Sequence, residues 1–206
     1  CGWSCQNECT FLEKCGALHN DETWSGNIHV SCYVQVPEGI TLIINPGTII
    51  KFKHDRNYKT FDKAGLGIFG GTIKARGTKD HMIWFTSDAQ EPVNGDWWGI
   101  SIENSDDSEF KYVIVEFGEI GIEQFDSQVP IRNSIIRWSN SEGLYAERSK
   151  PIFENNILYS NAYHEIALEQ YNEVEIKNNI FHDGVCAIHH EKTVSTIEGN
   201  YFDTYK

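Results

Sequence analysis

Apolar positions in the second half of the chain recur at a fixed distance. Ile100, Ile122, Leu144, Ile166 and Ile188 are each 22 residues apart. A second file, Ile131, Phe153, Ile176 and Ile197, steps by 22, 23 and 21, and a polar file, Ser134, Asn156, Asn179 and Asn200, repeats those steps. Within each unit the apolar residues alternate or form short β-rich runs such as Val113-Ile114-Val115 and Ile135-Ile136, and no window holds a helical stripe. A unit of this length supplies three short strands and three turns. Stacked in parallel, equivalent residues lie one strand spacing, about 4.8 Å, apart. No unit buries its apolar side chains alone, so stability comes from neighbours. The pattern predicts an all-β parallel solenoid of about 22 residues per coil. The Asn file is expected at a sharp corner, where Asn tolerates the left-handed backbone and its amides hydrogen-bond from coil to coil.

The segments Phe153-Glu154-Asn155-Asn156-Ile157-Leu158 and Ile176-Lys177-Asn178-Asn179-Ile180-Phe181 resemble the repeat of pectate-lyase-like right-handed β-helix proteins. Val36-Pro37-Glu38-Gly39-Ile40-Thr41-Leu42 and Asn45-Pro46-Gly47-Thr48-Ile49-Ile50 are similar to the opening coils of secreted bacterial members, and the resemblance continues through Gly70-Gly71-Thr72-Ile73 and Trp97-Trp98-Gly99-Ile100. It implies a right-handed, single-stranded parallel β-helix over residues 24–206, with residues 1–23 as a Cys-rich N-terminal cap of the same single domain. Residues 88–96, with Pro92, Asn94 and Gly95, read as a protruding loop. The superfamily hosts lyases, hydrolases, epimerases, adhesins and structural modules, so the resemblance implies a fold and leaves function open.

Charge narrows the partners. The formal net charge is -13 with 17 scattered basic residues, which argues against nucleic acid or an anionic bilayer. No apolar run approaches the ~20 residues of a membrane-spanning helix. Cysteines crowd the N-terminal end, where Cys1, Cys5, Cys9, Cys15 and Cys32 all precede the first repeat, and Cys186 stands apart. Without CxxC pairs, a disulfide-stapled cap fits better than a zinc site, which places the protein in an oxidising compartment, secreted or at the cell surface. Cys5, Cys9, Cys15 and Cys32 are the expected bridging residues, with no pairing fixed. Cys1-Gly2 resembles a processed bacterial lipoprotein, so a lipid anchor at Cys1 is an expectation. Cys186, four or more coils beyond Cys32, is expected as a buried free thiol, and the chain shows no capping helix after Asn200. Head-to-tail self-association, with Cys186 meeting an N-terminal cysteine of the next copy, is the sharper alternative.

Strand alternation locates the candidate chemistry. If Ile100 and Ile102 point inward, Ser101, Glu123, Tyr145, Ala167 and His189 form one outer file, and Glu103, Phe125, Glu147, Glu169 and Glu191 form the next. Glu147, Glu169 and Glu191 would then be stacked at about 4.8 Å. Three readings compete: a solvated acidic face, a Ca²⁺ site, or, with His189, a catalytic carboxylate set acting on a glycosidic bond. His189 could also join Glu169 or Glu191 at a metal, whereas His190 should point inward. Trp97, Phe125, Tyr145 and Glu123 are the candidate ligand-binding residues, one of Trp97 and Trp98 capping the core and the other free to stack on a sugar. No outer file pairs an Arg with an Asp ladder as the lyases of the superfamily do. The polygalacturonase set is incomplete, and Asp106-Asp107 reads as a solvated turn. An acidic face repels a uronate polymer, so a neutral glycan fits better. The favoured expectation is an extracellular, non-catalytic surface, adhesive or glycan-binding module that assembles end to end. The alternative is a polysaccharide lyase or glycoside hydrolase with an acidic cleft.

Overall fold

The computed structural model describes residues 11–56, 63–170 and 173–203, in which 23 strands and no helix form. All strand ladders are parallel, and the strands fall on three faces. The first face stacks the second half of β3 (Asn27–Pro37), β6 (Gly65–Phe69), β9 (Ile100–Glu103), β12 (Ile122–Phe125), β15 (Leu144–Glu147), β18 (His164–Glu169) and β21 (Cys186–Glu191). The second face stacks β2 (Glu22–Trp24), β4 (Thr41–Ile44), β7 (Thr72–Arg76), β10 (Glu109–Lys111), β13 (Ile131–Arg132), β16 (Ile152–Glu154), β19 (Glu173–Lys177) and β22 (Val194–Glu198). The third stacks the first half of β3 with β5 (Ile49–Phe52), β8 (Ile83–Ser87), β11 (Val113–Glu116), β14 (Ile135–Arg137), β17 (Ile157–Tyr159), β20 (Ile180–His182) and β23 (Tyr201–Asp203). β3 therefore belongs to two faces, pairing with β5 through Asn27–Val30 and with β6 through Tyr33–Pro37.

The regular file is a vertical stack, because Ile100, Ile122, Leu144, Ile166 and Ile188 are successive ladder partners. All but Ile188, in the last coil, are fully buried. The lower coils are longer. Val34 pairs with Leu66, and Leu66 with Ile100, so each of these steps along the chain is wider than any step in the upper coils. The extra chain lies in the segments before β6 and β9, the latter being the loop expected at 88–96. Strand pairing also begins earlier than the cap boundary at residue 24 implies. β1 (Leu12–Ala17) pairs with β3 and β2 with β4, so residues 12–24 contribute to the first coil. Cys15 and Cys32 form a disulfide across this coil, Cα–Cα 4.9 Å. Cys1, Cys5 and Cys9 lie outside the described residues. No helix of the described residues is long and apolar enough to cross a membrane.

Each corner combines a left-handed residue with a polar ladder. Between the second and third faces the positive φ belongs to Tyr112, Asn133, Asn155, Asn178 and Gly199. The polar file expected to supply it lies one residue later, and its side chains do something else. Asn156 Oδ1 accepts the Ser134 N–H at 3.0 Å, Asn179 Oδ1 the Asn156 N–H at 2.9 Å, and Asn200 Oδ1 the Asn179 N–H at 2.8 Å. The same amides donate back to Ile131, Phe153 and Ile176 carbonyls at 2.8 Å. A sharp corner turns backbone N–H groups away from the strand ladders, and these side chains satisfy them. The corner between the first and second faces works alike with serines, Ser127 Oγ accepting from Ser105 N–H and Ser149 Oγ from Ser127 N–H.

Candidate functional site

The outer surface of the first face carries the residues that alternation singled out. Ser101, Glu123, Tyr145, Ala167 and His189 are ladder partners in one file, and Glu103, Phe125, Glu147, Glu169 and Glu191 in the next. Lower on this face the second file continues to Phe69, paired with Glu103, and the first to Gly67, paired with Ser101. Gly65 and Gly67 explain how aromatic rings lie flat on the sheet there. A Cβ on Gly65 would stand 2.8 Å from the Tyr33 ring, and one on Gly67 would stand 2.5 Å from the Phe69 ring. Tyr33 and Phe69 stack at 6.4 Å between centroids, and Phe125 and Tyr145 lie 5.7 Å apart.

Together with Trp98, Ser101, Glu103 and Glu123, the rings of Tyr33, Phe69 and Phe125 line an open cavity of about 280 Å³. Glu123 is its innermost acid, accepting a hydrogen bond from Ser101 Oγ and one from Trp98 Nε1 at 3.4 Å. Burial pushes its carboxyl above the ordinary value, and the nearby Glu142 pushes the same way, outweighing those hydrogen bonds. Burial beside this acid also drives Tyr33 up to about 12. Tyr145, desolvated and facing Glu169, Glu123 and Glu142, is likewise raised to about 12 and stays a hydrogen-bond donor at neutral pH.

The acidic stack is in register but does not converge. The Tyr145 hydroxyl lies between Glu147 and Glu169, 3.0 Å and 3.1 Å from their carboxylates. Glu147 also takes a hydrogen bond from Arg148. The Glu191 side chain, 60 % exposed, reaches Lys192 at 3.2 Å. His189 turns away from this stack and packs on His164, centroids 4.8 Å apart, while His164 Nδ1 meets Glu142 at 3.3 Å. Among the described residues no group of three or more His, Cys, Asp or Glu is arranged to hold a metal ion.

Other assignments change. Trp97 is fully buried, stacked on Phe52 at 3.9 Å with its Nε1–H donated to the Glu116 carbonyl at 2.9 Å, so it fills the core and cannot meet a ligand. Its neighbour Trp98 is the ring that faces the cavity. His190 occupies an inward file above Leu168 but is exposed, because the described coils end there. Cys186 is free and half-buried rather than buried.

A model of the right handed beta helix region matches residues 93–205, more than half of the chain. The chain belongs to the right-handed β-helix family. No curated protein matches this β-helix in sequence. Among solved structures it is similar to the Azotobacter vinelandii mannuronan C-5 epimerase AlgE6 A-module, with 9% identity, 94% of this chain and 89% of that chain covered, and a TM-score of 0.31. So loose a superposition is no ground for carrying an activity across.

Proposed function

We propose that this β-helix is an extracellular glycan-binding module that holds a linear sugar chain along the outer surface of its first face. The observation that carries this reading is the row of aromatic rings, Tyr33, Phe69, Trp98, Phe125 and Tyr145, interleaved with the acceptors Glu103, Glu123, Glu147 and Glu169. Aromatic faces suit the apolar face of a pyranose, and carboxylates accept from its hydroxyls. Rungs about 4.8 Å apart repeat this chemistry along the solenoid axis, as a polymer requires. The Cys15–Cys32 disulfide supports an oxidising compartment. Screening of the intact chain against immobilised glycans, followed by calorimetry, tests the reading. Binding of a linear glycan that weakens about tenfold in Trp98→Ala is expected, and binding unchanged in that variant overturns it.

A carbohydrate-active enzyme is the second reading, favoured by one feature, the partly buried Glu123 carboxyl inside the cavity, which desolvation pushes above its ordinary value. Release of shorter products from a bound glycan, abolished in Glu123→Gln, would establish it in place of a non-catalytic module.

A further inference from the structure

The cavity on the first face has the chemistry of an ammonium site. Its walls are the rings of Tyr33, Phe69, Trp98 and Phe125, and its acids are Glu103 and Glu123. Among the described residues neither acid forms an ion pair with a Lys, Arg or His: Glu123 accepts from Ser101 and Trp98, and Glu103 from the Asn104 amide at 3.5 Å. Arg148, the basic side chain at this edge of the face, is bonded to Asp126 at 2.9 Å and to Glu147, and its charge reaches Glu103 through space without an ion pair. Two carboxylates among four aromatic rings, in a chain of net charge -13, make a site of negative potential whose ring faces attract cations as well.

We infer that the sugar chain held on this face carries free amino groups, so that the ligand is a de-N-acetylated hexosamine polymer whose ammonium enters the cavity between Glu103 and Glu123. This assignment rests on the glycan reading above and narrows it. An ammonium donates to both carboxylates and lies against the rings, whereas an N-acetyl group brings no charge to pair with them, and a uronate is repelled. A small free amine would fill this cavity alone. The rings and acids that continue through Tyr145, Glu147 and Glu169 in the next coils fit a polymer with a charge on successive units.

The test is a titration of the intact chain, followed by calorimetry and tryptophan fluorescence, with short oligomers of β-1,4-linked glucosamine, their fully N-acetylated counterparts, neutral glucose oligomers of the same linkage, and oligolysine of matched charge. At a pH where the amines are protonated, the free-amine oligomer is expected to bind at least about tenfold tighter than either uncharged oligomer and than oligolysine. That advantage should shrink in Glu103→Gln and vanish in Glu103→Gln/Glu123→Gln, and it should persist in Glu198→Gln on the second face. Circular dichroism checks that each variant is folded, and the exposed Glu103→Gln alone decides the matter if the double variant does not fold. Equal binding of the acetylated or glucose oligomers overturns the amino-sugar assignment and leaves the glycan reading standing. Oligolysine binding as tightly reduces the effect to net charge and also overturns it. Failure of every sugar oligomer to bind overturns both readings.

Discussion

The Glu165 carboxylate occupies the space where Gly184 lacks a side chain, and a Cβ on Gly184 would collide with Glu165 Oε1. The residue before each inward Ile or Leu of the first face is Gly99, Gly121 and Gly143 in successive coils, and then Glu165. At the corner between the third and first faces, Asn161 Oδ1 accepts the Ser139 N–H at 2.9 Å. The next residue of that polar file is Gly184, which has no amide to offer. Glu165 substitutes for it: its carboxylate accepts from the Asn161 N–H at 3.4 Å and from the Asn161 side-chain amide. A glycine file interrupted by an acid and an amide file interrupted by a glycine thus compensate each other one coil apart.

This substitution makes stability depend on pH. Glu165 is fully buried, and burial, reinforced by Asp183 in the next coil, raises its carboxyl from 4.5 to about 7 despite the Asn161 hydrogen bonds. Between those values the folded chain keeps a proton that the unfolded chain has released, so stability falls as pH rises through this window. The group contributes no slope below about pH 4.5 or above about pH 7, and its whole effect is at most about 3 kcal/mol. Urea unfolding at intervals across the window should show the decline in the parent chain and its loss in Glu165→Gln. An equal decline in that variant would assign the slope to other groups.

The exchange can be reversed by mutation. Gly184 has no positive φ, so an Asn there meets no backbone strain. Gly184→Asn alone drives an amide into the Glu165 carboxylate, and Glu165→Ala alone takes the acceptor from the Asn161 N–H and leaves the Asn161 side-chain amide only the Ile136 carbonyl. Both single variants should be destabilised, while the double variant rebuilds the amide file. A double-mutant cycle should show a favourable coupling of about 1–3 kcal/mol. Additive effects would mean that the two positions do not share this space.

The inward files were legible because stacking leaves no alternative to a constant period, and Ile122, Leu144 and Ile166 obey it. The lower part of the candidate site was not legible. Tyr33 and Phe69 belong to coils lengthened by insertions, where the wide steps from Val34 to Leu66 and from Leu66 to Ile100 hide the file that Phe69 shares with Glu103 and the pairing of Tyr33 with Gly65 beside it. The signal that could have found them is Gly65-Leu66-Gly67, two glycines on the outward phase of a strand, which mark a surface that another group covers. Trp97 and Trp98 could not be told apart because Gly99, at φ 124°, breaks the alternation between them and Ile100. Glu165 was readable as the acid that interrupts Gly99, Gly121 and Gly143.

The two tryptophans should separate stability from binding. Trp97→Ala removes a fully buried ring stacked on Phe52 and is expected to destabilise the fold by about 3–5 kcal/mol. Trp98→Ala removes a half-exposed ring of the cavity wall and should leave the unfolding midpoint nearly unchanged while weakening glycan binding about tenfold. Denaturant melts and calorimetry on both variants check this, and a Trp98→Ala chain as unstable as Trp97→Ala would show that Trp98 is structural.

The amide file makes a prediction that separates hydrogen bonding from packing. Asn179 is fully buried, accepting the Asn156 N–H at 2.9 Å and donating to the Phe153 carbonyl at 2.8 Å. Asn179→Ala leaves both groups unpaired in a dry corner and should cost about 2–4 kcal/mol. Ser134, two coils below in the same file, shows that a hydroxyl also serves there, since its Oγ accepts the Val113 N–H at 3.1 Å. Asn179→Ser removes nearly as much volume as Asn179→Ala but keeps an acceptor, so it should retain about 1 kcal/mol or more of the lost stability. The Asn156 amide should exchange with solvent faster in the Ala variant than in the Ser variant. Identical unfolding midpoints for the two variants would mean that volume, rather than the hydrogen-bonded file, holds this corner together.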